Sequence, residues 1–512
     1  MNNKPLILMA ALALVACNKN EQPEEKDPAP SGTFSVWPSY EGIDYDFSQD
    51  YTMPQMPQKN MTGIVSGEAW RYDDRWFTFV QGPNANPLVK ENEEAAKHML
   101  ARLNDDFAYL RDEMGWLPDR NASEGYRSTV YLYGSGLSTD SEPNTATGGW
   151  QGSVYADGKE YPMLLLSYYP VYCFDPACDY ADKAYHTNGV VHEGIHCLFS
   201  SRPGGKKISW FHEGCNTWLQ RAMEIRRSKL QPSQIDFGWL SAGSVLAPFI
   251  PIECYGGWRT DGSWGSPNWM DTISADSRKI LGGIQYSEVF PSFLEISLGD
   301  GSIKWIWEHC QGYLLSSLAS KIGEEQVQRL ILEYRSRLCL ADFGIYSDGL
   351  LRLENSYWNT SVTSEGSTQC QAWNMTPYTE TEPGEDGWLI PEKRTLPGWT
   401  GANIIPIKVS GDKAVVHFDP MNEPDMVCQL CWRTEDGTPV YAEAFTEGAC
   451  AVSLEGRKPA NGVLFAVVCN RSYKYNSSLR TKHFNYRIKL GTGTEGTASV
   501  KSKWFNYDRT VK

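Results

Sequence analysis

The chain has 512 residues, more than one hydrophobic core ordinarily carries, so two or three domains are expected. Apolar residues make up 41% and charged residues 21%, a balance that excludes wholesale disorder. With 62 acidic against 47 basic side chains the net charge is −15, which argues against a nucleic-acid partner held by a concentrated basic face.

The first seventeen residues, MNNKPLILMAALALVAC, read as an address. Lys4 precedes an uncharged stretch from Pro5 to Ala16 that is too short to span a bilayer but has the pattern of a signal peptide. Its end, Leu14-Val15-Ala16-Cys17, resembles the lipobox of bacterial lipoproteins. That resemblance implies cleavage before Cys17 and a lipid on its side chain. The polar, acidic stretch 18–33 reads as a disordered tether and is similar to the surface-export signals of Bacteroidota lipoproteins. The implied location is the outer membrane, facing outward, with Cys17 as the membrane attachment. Thirteen cysteines less Cys17 leave an even number, compatible with disulfides outside the cytoplasm, and the sequence leaves their pairing open.

Residues 34–80 are rich in Tyr, Trp, Pro and Met without a clean period, which predicts an extended N-terminal segment. Met99, Leu100, Leu103, Phe107, Leu110 and Met114 recur at three and four, one face of a helix over 91–116. STVYLYG (128–134) alternates as a strand does, and after a Gly/Ser/Thr-rich loop YPMLLLSYYPV (161–171) reads as another. TNGVVHEGIHCLFS (187–200) reads as a buried helix with Asn188 as its N-cap. Further helices are expected over 211–227, 302–319 and 324–337. The stretch 230–300 is too rich in Gly, Pro and Trp to be regular, and reads as loops beside a cleft. Past residue 400 seven short β-type runs between turns predict a β-sandwich over 400–495, with a linker at 383–398.

The chemistry concentrates in one window. Four of the eight histidines fall between residues 186 and 212, and His192-Glu193-Gly194-Ile195-His196 is an H-E-x-x-H motif. Residues four apart on a helix share a face, so both imidazoles can grip one metal with Glu193 beside it. Downstream, Glu213 lies in Trp210-Phe211-His212-Glu213-Gly214. Together these residues resemble the gluzincin clan of zinc metallopeptidases, most directly aminopeptidase-N-type sequences at Trp210, Glu213 and Gly214. The resemblance implies one Zn2+ held by His192, His196 and Glu213, with a fourth position left for water, and Glu193 as general acid and base. No G-x-M-E-N segment is present, so exopeptidase activity does not carry over. The downstream Asp of thermolysin-like enzymes is absent too; Asn216 and Thr217 stand nearby as candidate acceptors for the histidines' second ring nitrogens. For the oxyanion donor Tyr286 is favoured over Tyr255, Tyr313, His309 and His212, and stretch 161–171 is the candidate substrate-aligning strand.

The remaining cysteines and His98 carry blander readings. Cys197 and Cys215 read as core thiols or a disulfide, and Cys173 and Cys178 as a loop staple. Cys428 and Cys431 form a C-x-x-C inside a strand-like run without a second pair, which disfavours a zinc knuckle or redox use. His98 sits near the polar side of its helix and needs no function.

The fold expected is α+β: a zincin-like domain of mixed sheet and helices over 81–385, followed by the all-β sandwich. The function expected is a zinc-dependent metallopeptidase acting on extracellular protein or glycoprotein. The alternative is a non-catalytic lipoprotein that binds glycan or protein, using aromatic surfaces around 255–270 or the sandwich, on a zincin-like scaffold.

Overall fold

A computed structural model of the chain describes residues 67–116, 127–137, 140, 148–156, 159–199, 209–238, 241–253, 287–310, 312–358, 381–391, 396–476, 478–479 and 482–497. The leader, Cys17, the tether and most of the segment expected at 34–80 lie outside these residues. Among the described residues no helix is long and apolar enough to cross a membrane.

The class is α+β. The first sheet holds β1 (Trp70–Asp74), β2 (Phe77–Gln81), β3 (Ser128–Leu132), β4 (Gly149–Ala156) and β5 (Lys159–Leu166) in the order β1-β2-β3-β5-β4. β2, β3 and β5 run parallel, while β1 and β4 are antiparallel edges. Alternation decides its two faces. Phe77, Phe79, Val130, Leu132, Leu164 and Leu166 join the main core, whereas Val80, Tyr131, Met163 and Leu165 form a smaller cluster on the other side. The hairpin β1–β2 corrects the expectation for 34–80, because regular structure of this sheet begins eleven residues before 81. Strand β5 is also shorter than the 161–171 expected. After Ser167 the chain turns into helix, and Pro170 falls in the first turn, where its missing N–H has no intrahelical partner to lose.

The helices before the second region are α1 (Pro87–Lys90), α2 (Glu93–Asp112), α3 (Tyr168–Tyr172), α4 (Lys183–Phe199), α5 (Ser209–Ser228), α6 (Ala242–Leu246), α7 (Val289–Leu298), α8 (Asp300–His309), α9 (Leu314–Ile322), α10 (Glu324–Leu340) and α11 (Ser347–Trp358). α2 and α4 pack on the main-core face of the sheet. The single helix expected over 302–319 is two, α8 and α9, parted around Gly312, whose φ of 106° lies where only glycine is comfortable. Part of 230–300 is regular, since it contains α6 and α7; residues 254–286 lie outside the description.

Each of the seven runs expected past residue 400 contains a strand: β8 (Ala402–Val409), β9 (Lys413–Asp419), β10 (Met426–Arg433), β11 (Pro439–Tyr441), β12 (Gly448–Ser453), β13 (Val463–Asn470) and β14 (Arg487–Leu490). The expected linker supplies two more partners, since β6 (Thr381–Pro383) and β7 (Trp388–Pro391) form a hairpin, and β15 (Thr494–Thr497) ends the set. They make two five-stranded sheets, β11-β10-β13-β8-β15 and β12-β9-β14-β7-β6. Ile405, Met426, Cys428, Leu430, Leu464 and Ala466 of the first share a core with Val416, Phe418, Tyr486 and Ile488 of the second. The opposite face of the first sheet, with Val427, Cys431, Phe465 and Val467, belongs to the same core as the helices. Hence all eight residues of β13 are buried.

The two regions meet at a buried clamp. Arg335 on α10 donates to the carbonyl oxygens of Thr400 (3.0 Å) and Ile250 (2.7 Å), and Thr400 Oγ1 accepts from Ile252 N (2.8 Å). Gly401 is required there, because a Cβ would stand 2.2 Å from Phe249 O. Next to this clamp, Glu253 accepts the Leu315 N–H at the start of α9, with its other carboxyl oxygen buried and unpartnered. Burial pushes the Glu253 carboxyl up to about 8. The folded chain therefore holds a proton that the unfolded chain releases near 4.5, so this group's contribution is full below 4.5 and is lost as the pH rises through 8. Accordingly Glu253→Gln should match the parent's thermal midpoint at pH 5 and exceed it at pH 8, a comparison read by scanning fluorimetry at the two pH values.

Candidate metal centre

The helix α4 brings the motif to the core because its apolar positions demand burial. Val190, Val191, Ile195, Cys197 and Phe199 are all within the main cluster. Gly194, inside the motif, permits a close approach to α2, since a Cβ there would lie 2.5 Å from Leu103 Cδ2. α4 begins at Lys183, so Asn188 lies within it and is no N-cap. One residue earlier the Thr187 hydroxyl donates back to the Lys183 carbonyl (3.0 Å), a bond that lets a β-branched polar residue continue the helix.

The helix α5 carries Glu213. Phe211, Cys215, Trp218, Leu219, Ala222 and Met223 bury one side of it, and its other groups are fixed by polar clamps. Trp218 Nε1 donates to Glu295 on α7 (2.7 Å), Arg226 pairs with Asp300 on α8 (3.0 Å), and Arg227 pairs with Asp106 on α2 (2.6 Å). Arg221 pairs with the buried Glu288 just before α7. Three neighbouring helices thus hold α5 against rotation, and with it the direction of Glu213.

The result is a triangle of donor atoms. His192 Nε2 lies 3.1 Å from Glu213 Oε2, His196 Nε2 lies 3.0 Å from the same oxygen, and the two Nε2 atoms are 3.1 Å apart. Among the described residues this is the one group of three or more His, Cys, Asp or Glu side chains placed to hold a metal ion. Two imidazoles and a carboxylate form a donor set that suits zinc, and sides near 3 Å leave all three atoms within reach of one centre at about 2.0–2.2 Å. Protons alone satisfy the triangle poorly. If each imidazole donates to Glu213, the two N–H groups confront each other.

The electrostatics match that arrangement. Burial pushes the Glu213 carboxyl up, but the charges and hydrogen bonds of His196 and His192 outweigh it and hold the group well below the usual carboxylate range. Burial pulls His196 down, and Glu213 outweighs that to raise it. Glu193 behaves differently. Burial raises its carboxyl despite the two imidazoles, and its oxygen accepts the backbone N–H of Gln151 on β4. α4 packs against both β4 and β5, but among the described residues β4 is the sheet edge and β5 lies inside the sheet, so the edge strand beside the site is β4 and not the 161–171 expected.

The ring of His196 is fixed by stacking. Its centroid is 4.1 Å from that of His212 at 22°, and His212 in turn lies 5.3 Å from Trp307 at 23°. Burial, followed by the charge of His196, pushes His212 down to about 3 and keeps it neutral. In the sequence His212 stands only as an oxyanion-donor candidate, not as a stacking partner, and nothing there marks Trp307 at all. The order Trp-Phe-His-Glu placed His212 beside the ligand, but Trp307 comes from a distant helix. Strand β4 also escaped notice, because Gly149 and Gly152 give it the composition of a loop. Those glycines stand directly opposite Leu166 and Met163 of β5 and leave room for their side chains: a Cβ would meet Leu166 Cδ2 at 2.7 Å and Met163 Cε at 3.0 Å.

The other expected site residues fall as follows. Tyr286 and Tyr255 lie outside the described residues. His309 contacts the Trp305 carbonyl through Nδ1 (3.1 Å), and Tyr313 stacks on Tyr475 at 4.2 Å. Asn216 and Thr217 brace main chain and not imidazole. Asn216 Nδ2 donates to the His192 carbonyl (2.6 Å), and Thr217 Oγ1 donates to that of Glu213 (3.1 Å). Asn216 Oδ1 and His196 Nδ1 are both buried without a hydrogen-bond partner. Cys197 and Cys215 are buried in the core beside the ligands, and the Cys173 and Cys178 sulfurs lie 3.8 Å apart as thiols.

No protein-family model, no curated protein and no solved structure matches the chain. The geometry therefore carries the reading, and it makes Asn216 a test of the bracing. If the triangle holds a divalent metal, Asn216→Ala should weaken its binding by roughly 10–100-fold while leaving the three donor residues intact, as measured by competition with a chromogenic chelator.

Proposed function

We propose that the chain is a zinc-dependent, gluzincin-like metallopeptidase that hydrolyses peptide bonds in extracellular protein or glycoprotein. The observation that carries this reading is the donor triangle of His192, His196 and Glu213, with the half-buried Glu193 on the helix of the two histidines. On this reading the first sheet with its helices is a zincin-like domain, and the two C-terminal sheets are a β-sandwich. Cys17 carries lipid and holds the protein to the outer membrane, facing outward.

His192 and His196 serve as neutral donors through Nε2, and Glu213 contributes the negative charge of the set. When bound, zinc supplies Lewis-acid chemistry, acidifying water and polarising a carbonyl oxygen. Glu193 takes a proton from the attacking water and delivers it to the leaving amine. Burial raises its carboxyl above the ordinary carboxylate value, the direction that suits a group that must both accept and release a proton. The Gln151 N–H holds its carboxylate in place. Strand β4 is an edge of the sheet among the described residues, and an extended peptide added along such an edge would be aligned through its main chain without regard to most of its side chains.

The alternative is a binding lipoprotein on a zincin-like scaffold, and two measurements separate it from the peptidase. Metal analysis of the parent should give about one zinc per chain, lost in His192→Ala and in Glu213→Ala. Glu193→Gln should keep the zinc and lower cleavage of a denatured-protein mixture by at least about 100-fold. Zinc retention with equal cleavage by both forms defeats the mechanism. A parent chain that takes up no zinc on reconstitution defeats the enzyme reading altogether.

A further inference from the structure

We propose that Cys339 and Cys431 form a disulfide that joins helix α10 to strand β10 and so links the metal-bearing region covalently to the C-terminal sheets. The sequence motif suggests another partner, Cys428, three residues earlier. A strand alternates sides, so a spacing of three puts the two cysteines on opposite faces. Cys428 accordingly belongs to the core between the two sheets, whereas Cys431 belongs to the core shared with the helices. The C-x-x-C is therefore no redox pair.

The partner of Cys431 comes from 92 residues earlier in the chain. Its Sγ lies 4.0 Å from that of Cys339, and both residues are buried. Helix and strand are held in register on each side of this contact. One turn before, Ser336 Oγ donates to Gln429 Oε1 (2.6 Å); just after, Arg433 Nε donates to the Leu340 carbonyl (2.8 Å) and Arg433 Nη2 to that of Ala341 (3.3 Å). Positions 336, 339 and 340–341 of the helix thus meet 429, 431 and 433 of the strand in order, and the two sulfurs face each other across a fixed gap. Closing it to a bonded distance asks each sulfur to move by about 1 Å, within what side-chain rotation supplies.

The chemistry is an exchange. The two thiols lose two protons and two electrons as the Sγ–Sγ bond forms, and a disulfide of the glutathione or oxidoreductase class accepts the electrons, its own S–S bond breaking to two thiols. The cross-link closes a long loop in the unfolded chain and stabilises the folded one chiefly through that restriction.

The test uses the full chain equilibrated with oxidised and reduced glutathione in sub-denaturing urea, alkylated under denaturing conditions, digested without reduction and mapped by tandem mass spectrometry. A peptide pair joined through Cys339 and Cys431 is expected. Recovery of both as alkylated thiols, or of Cys431 joined to Cys428 or to any other cysteine, overturns the proposal. A second measurement stands apart from the mapping. Reduction should lower the thermal midpoint of the oxidised parent by about 5 °C or more, and should leave that of Cys339→Ala/Cys431→Ala unchanged. An equal fall in the double variant overturns the assignment.

Discussion

Three lone-pair-bearing atoms held about 3 Å apart repel one another unless positive charge lies among them, and that constraint organises the first half of this molecule. Maintaining such a triangle requires walls that do not relax. The walls are two antiparallel demands on helix packing: the apolar side of α4 must reach the sheet and α2, and α5 must turn Glu213 toward α4 while burying Trp218 and Leu219 elsewhere. The clamps from α5 to α2, α7 and α8 make sense as reactions to that load. Arg227 with Asp106, Arg226 with Asp300 and Trp218 with Glu295 each remove one way in which the helix could roll. The ring column of His196, His212 and Trp307 restricts the remaining freedom, the tilt of an imidazole plane.

What the sequence made legible follows from how local each signal is. His192 and His196 are spaced by helical periodicity, so their shared face could be read without tertiary knowledge, whereas Glu213, on the next helix, entered only through the resemblance to gluzincins. Periodicity also revealed α2, α5, α10 and the strands past residue 400. What was not legible depends on contacts between distant elements. Strand β4 has glycines opposite Leu166 and Met163 of β5, where they leave room for those side chains, and the same glycines conceal the β pattern that would otherwise announce the strand. Strands β6 and β7 sit in a segment whose Pro and Gly content reads as a linker, yet a hairpin needs only a few paired residues. Ser302–Ala319 carries apolar residues at helical spacing on both sides of the break, and the extended Cys310 and Tyr313 with the positive φ of Gly312 divide it. In the same way Asn216 was placed correctly near the metal ligands but assigned to the wrong atoms, since sequence spacing fixes the side of a helix and not the hydrogen bond that a side chain selects.

The second half of the chain is tied to the first by polar as well as apolar contacts. Arg335 binds two carbonyl oxygens in the buried junction, and Gly401 lets the strand pass against Phe249. A guanidinium suits this place because its planar fork reaches both oxygens at once and stays charged at every relevant pH. The junction is therefore a specific joint and not a flexible hinge.

The sheet face that receives α10 sets an order on synthesis. Ribosomes deliver residues 192 and 213 long before residues 402–470, and α10 stays without its partner surface until β8, β10 and β13 exist. The donor triangle can assemble on the early helices, but the helical layer behind it remains open to solvent on one side until the last strands close over it. Completion of the helical core thereby waits on residues 402–470, and a chain truncated before them presents an apolar helix face in place of a finished core.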